Sequence, residues 1–365
     1  METRSRAGLI GCGRIGTLLD DEVYDALVRD NSWRNRPCTF AGNFVQHPRT
    51  RLVAAADLNP RRLERARAKW GDINLYADYR EMLLRERLDI VAIATPSSLH
   101  CEMTVVSAQA GVRAIFCEKP IADSLTEADS MIDACNVAGS RLIINHTFRF
   151  HPDLHRAREL IEQGRIGELR TIVCHFPRWL IHMGAHMFDL MAFFAGEPEA
   201  VMGRLDHDTT EDTEGAGCVW FKSGVRALVD AQPRTAFGYL DLMGTGGAVR
   251  FRNDTAMTFE LWLPGASGQL EQQPFPSVAA EVAARGPSRG RFVCATGIDE
   301  VVACLDEGRE SYSNGRHGRT ALELAHGFYA SHFAGGRAVT LPNSDRLREV
   351  PEALPPEVFQ AQAIF

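Results

Sequence analysis

The chain has 365 residues, enough for two domains with separate cores. Apolar residues make up 45% and charged residues 24%, and the formal charge of −7 provides no basic face, which excludes nucleic acid as a partner and suits, weakly, a cationic substrate. Membrane insertion and secretion are not expected: no apolar run nears the roughly 18 residues of a span, Met1-Glu2-Thr3-Arg4 leads almost directly into an expected strand, and nine cysteines without a CxxC pair fit reduced thiols in a cytoplasm.

Ala7-Gly8-Leu9-Ile10 reads as a short strand, followed at once by Gly11-Cys12-Gly13-Arg14-Ile15-Gly16 and a helix from Thr17. This is GxGxxG in the context it requires, between strand and helix. Gly11 makes the tight turn, Gly13 lets a pyrophosphate approach the backbone, and Gly16 permits close helix packing. Arg14 and Ile15 then sit at a helix N-terminus, where free N–H groups favour anions. The fingerprint also asks for an acidic residue at the end of the second strand, about 20 residues on. Residues 51–56 are the next good strand and Asp57 is the acid, but it stands 41 residues after Gly16. Residues 20–48 therefore hold an insertion, acidic at Asp20-Asp21-Glu22 and ending in Trp33-Arg34-Asn35-Arg36-Pro37-Cys38-Thr39. A lid, a subunit edge and a decorated surface loop are equally open readings of it. Asp57 suits the ribose hydroxyls of NAD and repels a 2′-phosphate, while Arg61 and Arg62 soften that preference. NAD is the favoured cofactor and NADP is not excluded.

Helices over 61–70, 79–87 and 102–110 alternate with strands over 90–94 and 114–116, the pattern of a parallel sheet with crossover helices. Ligands of such a sheet sit at the carboxyl ends of its strands. Those ends carry Gly11, Asp57, Thr95-Pro96 and Glu118-Lys119, and His100 shapes the cofactor loop. Ser124 and Glu127 are spaced as a capping box opening a helix over 124–138. A strand over 141–144 follows, and the domain boundary is set at 145/146, giving a dinucleotide-binding domain over 1–145 and a second domain over 146–365. From residue 169 the pattern changes to strands over 169–176, 200–205, 217–221, 225–231, 239–243 and 248–251. Turns at Lys222-Ser223-Gly224 and Thr245-Gly246-Gly247 make this a mainly antiparallel sheet. Residues 264–291 read as a long loop, and 297–305 and 320–332 as helices.

Two stretches carry chemistry. In Cys117-Glu118-Lys119-Pro120, one of only three lysines stands at the end of a buried strand. Lost hydration lowers a lysine's pKa and lets it pass protons near neutrality; a solvated Glu118–Lys119 surface pair is the equal alternative. In the second stretch, His182, His186 and Asp189 fall at i, i+4 and i+7, one face of a helix if the segment is helical. Two histidines at that spacing can hold a metal, but no further ligand is evident and none is expected. Trp179 either stacks on a bound ring or packs in a core, and Arg149 either meets substrate oxygens or bridges the domain junction. His151 and His155 read as structural or surface residues.

Jointly and in this order, residues 8–16, Ala94-Thr95-Pro96-Ser97-Ser98-Leu99-His100, Cys117-Glu118-Lys119-Pro120, Phe148-Arg149-Phe150-His151-Pro152, residues 164–169, Gly184-Ala185-His186-Met187-Phe188-Asp189 and residues 243–247 resemble the glucose–fructose oxidoreductase, inositol dehydrogenase and rhizopine-catabolism (Gfo/Idh/MocA) family. The resemblance covers nearly the whole chain. It implies an α/β fold, a Rossmann domain followed by an α+β domain with an open, mainly antiparallel sheet whose face makes homodimers or homotetramers. It also implies hydride transfer between a nicotinamide and a carbon of a sugar, cyclitol or related alcohol. Lys119 matches the family's catalytic lysine and His186 its general acid/base, with Arg149, Trp179, His182 and Asp189 expected at the substrate. One departure stands out: many members carry Asp where this chain has His182, and the glycine-rich lead-in is shortened to Trp179-Leu180-Ile181, so the pocket floor differs. The expectation is a nicotinamide-dependent oxidoreductase of a sugar, cyclitol or amino sugar, an aminoglycoside pathway included. A non-catalytic dinucleotide sensor of the same fold is the alternative.

Overall fold

The computed structural model describes residues 4–22, 37–232, 238–253, 257–284 and 294–342. The chain forms two compact units, one of Met1–Phe150 with Arg291–Arg319 and the other of His151–Gly290 with Thr320–Glu352.

In the first unit β1 (Ser5–Ile10) runs into a π-helical turn (Arg14–Leu18) and α1 (Leu19–Glu22), and α2 (Phe40–Gln46) leads into β2 (Thr50–Ala56). Then follow α3 (Pro60–Trp70), β3 (Asn74–Tyr76), α4 (Tyr79–Arg85), β4 (Ile90–Ile93), α5 (His100–Gln109), β5 (Ala114–Cys117), α6 (Leu125–Ala138) and β6 (Arg141–Ile144). The six strands lie in the order β3-β2-β1-β4-β5-β6, all parallel. Every residue of β4 and β5 is buried, as a parallel sheet covered on both faces demands. Phe116 on β5 packs edge-on against Phe40 and Phe150, at ring separations of 4.9 and 6.1 Å. Helix starts follow local chemistry: Asn59 caps α3 ahead of Pro60, and Ser124 and Glu127 form the expected capping box on α6.

Of the insertion expected over 20–48, residues 23–36 lie outside the described residues, Trp33-Arg34-Asn35-Arg36 among them. Its two ends are tied to each other. Buried Asp20 accepts from the Cys38 and Thr39 N–H groups and from the Thr39 hydroxyl. Thr39 in turn caps α2, accepting from Gly42 N–H at 3.1 Å.

The second unit opens with α7 (Pro152–Glu162), N-capped by the ring of His151, and then β7 (Leu169–Pro177) and α8 (Gly184–Ala195). The strands β8 (Pro198–Leu205), β9 (Gly215–Phe221), β10 (Arg226–Gln232), β11 (Gly238–Gly244), β12 (Ala248–Asn253), β13 (Thr258–Pro264) and β14 (Leu270–Gln273) follow, with α9 (Val278–Ala284) after them. The stretch 264–291, expected as a long loop, thus carries β14 and α9. Its Gly/Ser cluster is a tight turn, with Gly265 N–H on the Gln269 carbonyl at 2.8 Å and Gly268 at φ +79°. The start of α9 is set by a distant acid: Asp153 accepts from the Ser277 hydroxyl (2.7 Å) and the Ala279 N–H (3.1 Å).

After α9, α10 (Cys294–Glu307) and α11 (Gly315–Phe333) precede the short β15 (Val339–Thr340). The sequence pattern puts everything past 145 in one domain, whereas α10 returns to the first unit, because Ile298 and Val301 complete the core around Phe116. The nine-stranded sheet is ordered β14-β13-β12-β11-β7-β10-β9-β8-β15. It is antiparallel except where β7 and β10 run together in parallel. Phe328 of α11 lies directly on the sheet backbone: a Cβ on Gly203 would come within 2.5 Å of its ring. Phe188 of α8 packs on the same ring at 5.4 Å. Among the described residues no helix is long and apolar enough to cross a membrane.

Phe328→Ala leaves a void between α8, α11 and the sheet. It is expected to lower stability by about 3–5 kcal/mol, seen as an earlier urea midpoint by tryptophan fluorescence; an unchanged midpoint would contradict this packing.

Candidate functional site

The glycine-rich turn is built from close approaches. Gly11 has φ +93° and gives its N–H to the Ala56 carbonyl at 2.9 Å. A Cβ on Gly11 would lie 2.7 Å from the Ala94 oxygen, and one on Gly16 would lie 2.1 Å from the Gly11 oxygen. Neither position admits a side chain. At Gly13 only Arg62 Nη1, 3.9 Å away, comes near such a Cβ, so that side of the backbone is open. Arg14 is exposed and Ile15 half-buried on the π-helical turn, whose Thr17 and Leu18 N–H groups converge on the Gly13 carbonyl.

Asp57 follows β2 and faces this turn. Its Oδ2 accepts from Cys12 N–H at 2.8 Å and its Oδ1 from Asn59 N–H at 2.8 Å. Arg62 Nη1 stands 3.7 Å from Asp57 Oδ2, so Arg62 is the arginine that reaches the acid. Burial, reinforced by the Asp57 charge, pushes the Cys12 thiol up to about 12, which keeps it protonated beside the turn.

The next two strand ends are tied by one imidazole. Thr95 and Pro96 follow β4, with Pro96 exposed and the Thr95 hydroxyl on Met103 Sδ at 3.4 Å. His100, buried at the start of α5, has Nε2 2.9 Å from the Thr95 carbonyl oxygen and Nδ1 2.9 Å from that of Pro120. Burial lowers its pKa, against the opposing pull of the Thr95 and Pro120 carbonyls and of Glu118. A neutral ring carries one N–H and donates to one carbonyl at a time. Glu118 is buried, accepting from Asn145 Nδ2 and from Lys119 N–H at 3.2 Å. Lys119 is half-buried at the end of β5, and the Lys119–Pro120 peptide is cis. Arg149 is only 2% exposed, and its Nη1 donates to the Tyr312 carbonyl at 3.1 Å inside the first unit.

In the second unit the chain leaves β7 through Arg178, which adopts φ +68° and gives its N–H to the Gln232 carbonyl at 2.9 Å. Half-buried Trp179 meets the His182 ring edge-on at 6.3 Å. His182 is exposed and sits in the turn before α8, so it does not share the helical face that the spacing suggested. His186 and Asp189 do lie on α8, at 9% and 1% exposure. Sequence reasoning passed over Asp212, whose Oδ1 and Oδ2 accept from the Ile181 and His182 N–H groups at 2.7 and 2.8 Å. No motif marks a carboxylate that acts on backbone 30 residues away.

The structure therefore brings Gly11, Cys12, Gly13 and Asp57 together with Arg62, and Thr95, His100 and Pro120 together. Trp179 and His182 meet in the turn before α8, His186 and Asp189 lie on α8, and Lys119 belongs to the first unit and His186 to the second.

Residues 35–146 match the model of an oxidoreductase family with an NAD-binding Rossmann fold. The D-apiose dehydrogenase of Paraburkholderia graminis is 28% identical over 318 residues, covering 80% of this chain and 83% of that one. The inositol 2-dehydrogenase of Rhizobium meliloti is 26% identical, covering 88% and 94%. Among solved structures, the WlbA dehydrogenase from Bordetella pertussis, in complex with NADH and UDP-GlcNAcA, superposes with a TM-score of 0.74 at 24% identity over 94% of this chain and 99% of that one, which shows a shared fold.

His100→Phe removes the tie between the Thr95 and Pro120 carbonyls. The Kd for NADH, followed by nicotinamide fluorescence, is expected to rise about tenfold, as the loss of one to two hydrogen bonds implies. Unchanged affinity in a folded variant would confine His100 to packing.

Proposed function

We propose that the chain is an oxidoreductase of the Gfo/Idh/MocA type that interconverts a secondary alcohol and a ketone on a sugar or cyclitol, using NAD(H). The observation that carries the cofactor half is the Asp57 carboxylate held on Cys12 N–H beside the open backbone of Gly13. An acid there takes ribose hydroxyls and repels a 2′-phosphate. The backbone N–H groups of Arg14 and Ile15 would hold the pyrophosphate. Thr95, Pro96 and Glu118 border the same sheet edge. D-Apiose and inositol, the compounds named for two relatives, set the substrate class; an amino sugar, an aminoglycoside among them, fits the formal charge of −7.

When bound, the nicotinamide supplies the hydride acceptor or donor. The protein handles the proton. In oxidation His186 takes it from the substrate hydroxyl, a task suited to imidazole. Lys119, as the ammonium, donates a hydrogen bond to the same oxygen and stabilises the negative charge that develops there; in reduction it polarises the carbonyl and His186 returns the proton. Trp179 and His182 contact the sugar ring and Asp189 orients His186, while Arg149, buried on the Tyr312 carbonyl, braces the first unit.

The decisive experiment is a fluorescence titration with NADH and NADPH, then a turnover screen over aldoses, cyclitols, aminoglycosides and their keto forms. NADH is expected to bind more tightly than NADPH, and Arg62→Ala to widen the gap. Lys119→Ala and His186→Ala are each expected to lower kcat by about 10²–10⁴-fold while leaving the NADH Kd within about twofold. Binding of neither dinucleotide would sink the reading. Binding of NADH without turnover of any alcohol or ketone would leave a dinucleotide sensor in its place.

For the assembly we propose a homodimer or homotetramer built on the open face of the nine-stranded sheet. Met202, Leu228 and Met243 are 39%, 46% and 46% exposed there, and the strand register puts Met202 and Leu228 on the same face as Cys218 and Val173. Leu228→Glu is expected to shift the mass measured by light scattering to that of one chain; an unaltered oligomer would move the interface elsewhere.

A further inference from the structure

The segment between β7 and α8 is a turn whose backbone is fastened by one side chain from another part of the second unit. Asp212 takes the Ile181 N–H on Oδ1 at 2.7 Å and the His182 N–H on Oδ2 at 2.8 Å. Each carboxylate oxygen thus holds one of two consecutive amides. Hydrogen bonds to an ionised acceptor are stronger than neutral ones. The turn leads directly into α8: Gly184 N–H reaches the Trp179 carbonyl, and Ala185 N–H the Ile181 carbonyl, at 3.1 and 3.0 Å. The carboxylate therefore serves the two amides just ahead of the helix, at the end of α8 where the dipole favours negative charge.

The position of Asp212 is itself fixed on both sides. Thr213, the next residue, accepts Leu180 N–H on its carbonyl at 2.9 Å and gives its own N–H to the Tyr329 phenol oxygen at 3.1 Å. The Tyr329 hydroxyl donates to the Glu211 carbonyl at 2.9 Å. Burial first, and the nearby Asp212 charge second, raise the Tyr329 pKa, so the phenol stays a donor. A continuous set of bonds therefore runs from α11 through residues 211–213 to the backbone of residues 180–182.

We infer that Asp212 is a positioning residue for the substrate side of the site. It sets where His182 projects and where α8 begins, and hence where His186 stands one turn later. The inference rests on the reading of His186 as the acid/base. Asp212 itself meets neither substrate nor cofactor in this role.

The test compares Asp212→Ala, Asp212→Asn and Tyr329→Phe in the full-length protein. In Asp212→Ala, amide exchange at Ile181 and His182 is expected to accelerate about tenfold or more, the loss of about 1.4 kcal/mol of hydrogen bonding. The His182 imidazole ¹H–¹³C cross-peak is expected to move, while the NADH Kd stays within about twofold. With myo-inositol and NAD⁺ as probes, kcat/KM is expected to fall about tenfold. Asp212→Asn keeps one acceptor oxygen and should recover part of each effect, and Tyr329→Phe should reproduce a weaker form of them. Unchanged exchange at the two amides in Asp212→Ala overturns the inference. So does faster exchange with an unmoved His182 peak. A wild-type protein inert toward every alcohol of the screen sinks the oxidoreductase reading instead, and the exchange and His182 measurements still decide the positioning role.

Discussion

The first unit depends on how closely the π-helical turn approaches the end of β1. With a Cβ on Gly16 placed 2.1 Å from the Gly11 oxygen, strand and helix are in backbone contact. That contact brings Cys12 N–H within reach of Asp57. The acid at the end of β2 is therefore oriented by the turn it faces, and Asn59 N–H on its other oxygen completes the fixing. A polar group held on two backbone donors needs little rearrangement when a ligand arrives, which is how a rigid site limits the entropy cost of binding.

The second unit uses a different device. Its sheet is covered by α8 and α11, and glycines at 203 and 217 let Phe328 lie against the strand backbone. Packing of that kind fixes the helices as bodies but does not set the turn that precedes α8. The Asp212 carboxylate sets it, through two backbone hydrogen bonds. Apolar contact and charge-assisted hydrogen bonding thus divide the work. The first supplies most of the stability, and the second selects one arrangement among those that packing alone permits.

What the residues reveal by themselves follows the same division. β4 and β5 are legible because a strand buried on both faces is an unbroken apolar run, and Asp57 is legible because it ends such a run. The place of Lys119, just past the end of β5, is legible from the apolar run before it. The 264–291 stretch is not, since its Pro, Gly and Ser residues signal a turn while the helix after them is set by Asp153, over 120 residues earlier in the chain. The spacing of His182, His186 and Asp189 puts all three on one face only if the helix reaches back to 182, and it begins two residues later, where the turn held by Asp212 ends. The return of α10 to the first unit is equally hidden, because Ile298 and Val301 look like any amphipathic helix face until Phe116 is beside them. Local pattern carries the elements; long-range polar contacts carry the boundaries.

Asp20 has a consequence for how this chain tolerates change in length. By holding Cys38 and Thr39 directly, it ties the start of α2 to α1. A shortened or lengthened stretch at Pro37 would pull these donors off the buried acid, which then keeps its desolvation cost with nothing to offset it. The bonds that seat α2 are thus the ones that let a carboxylate sit inside this unit, and α1 and α2 act as one clasp at the crossover from the first strand to the second.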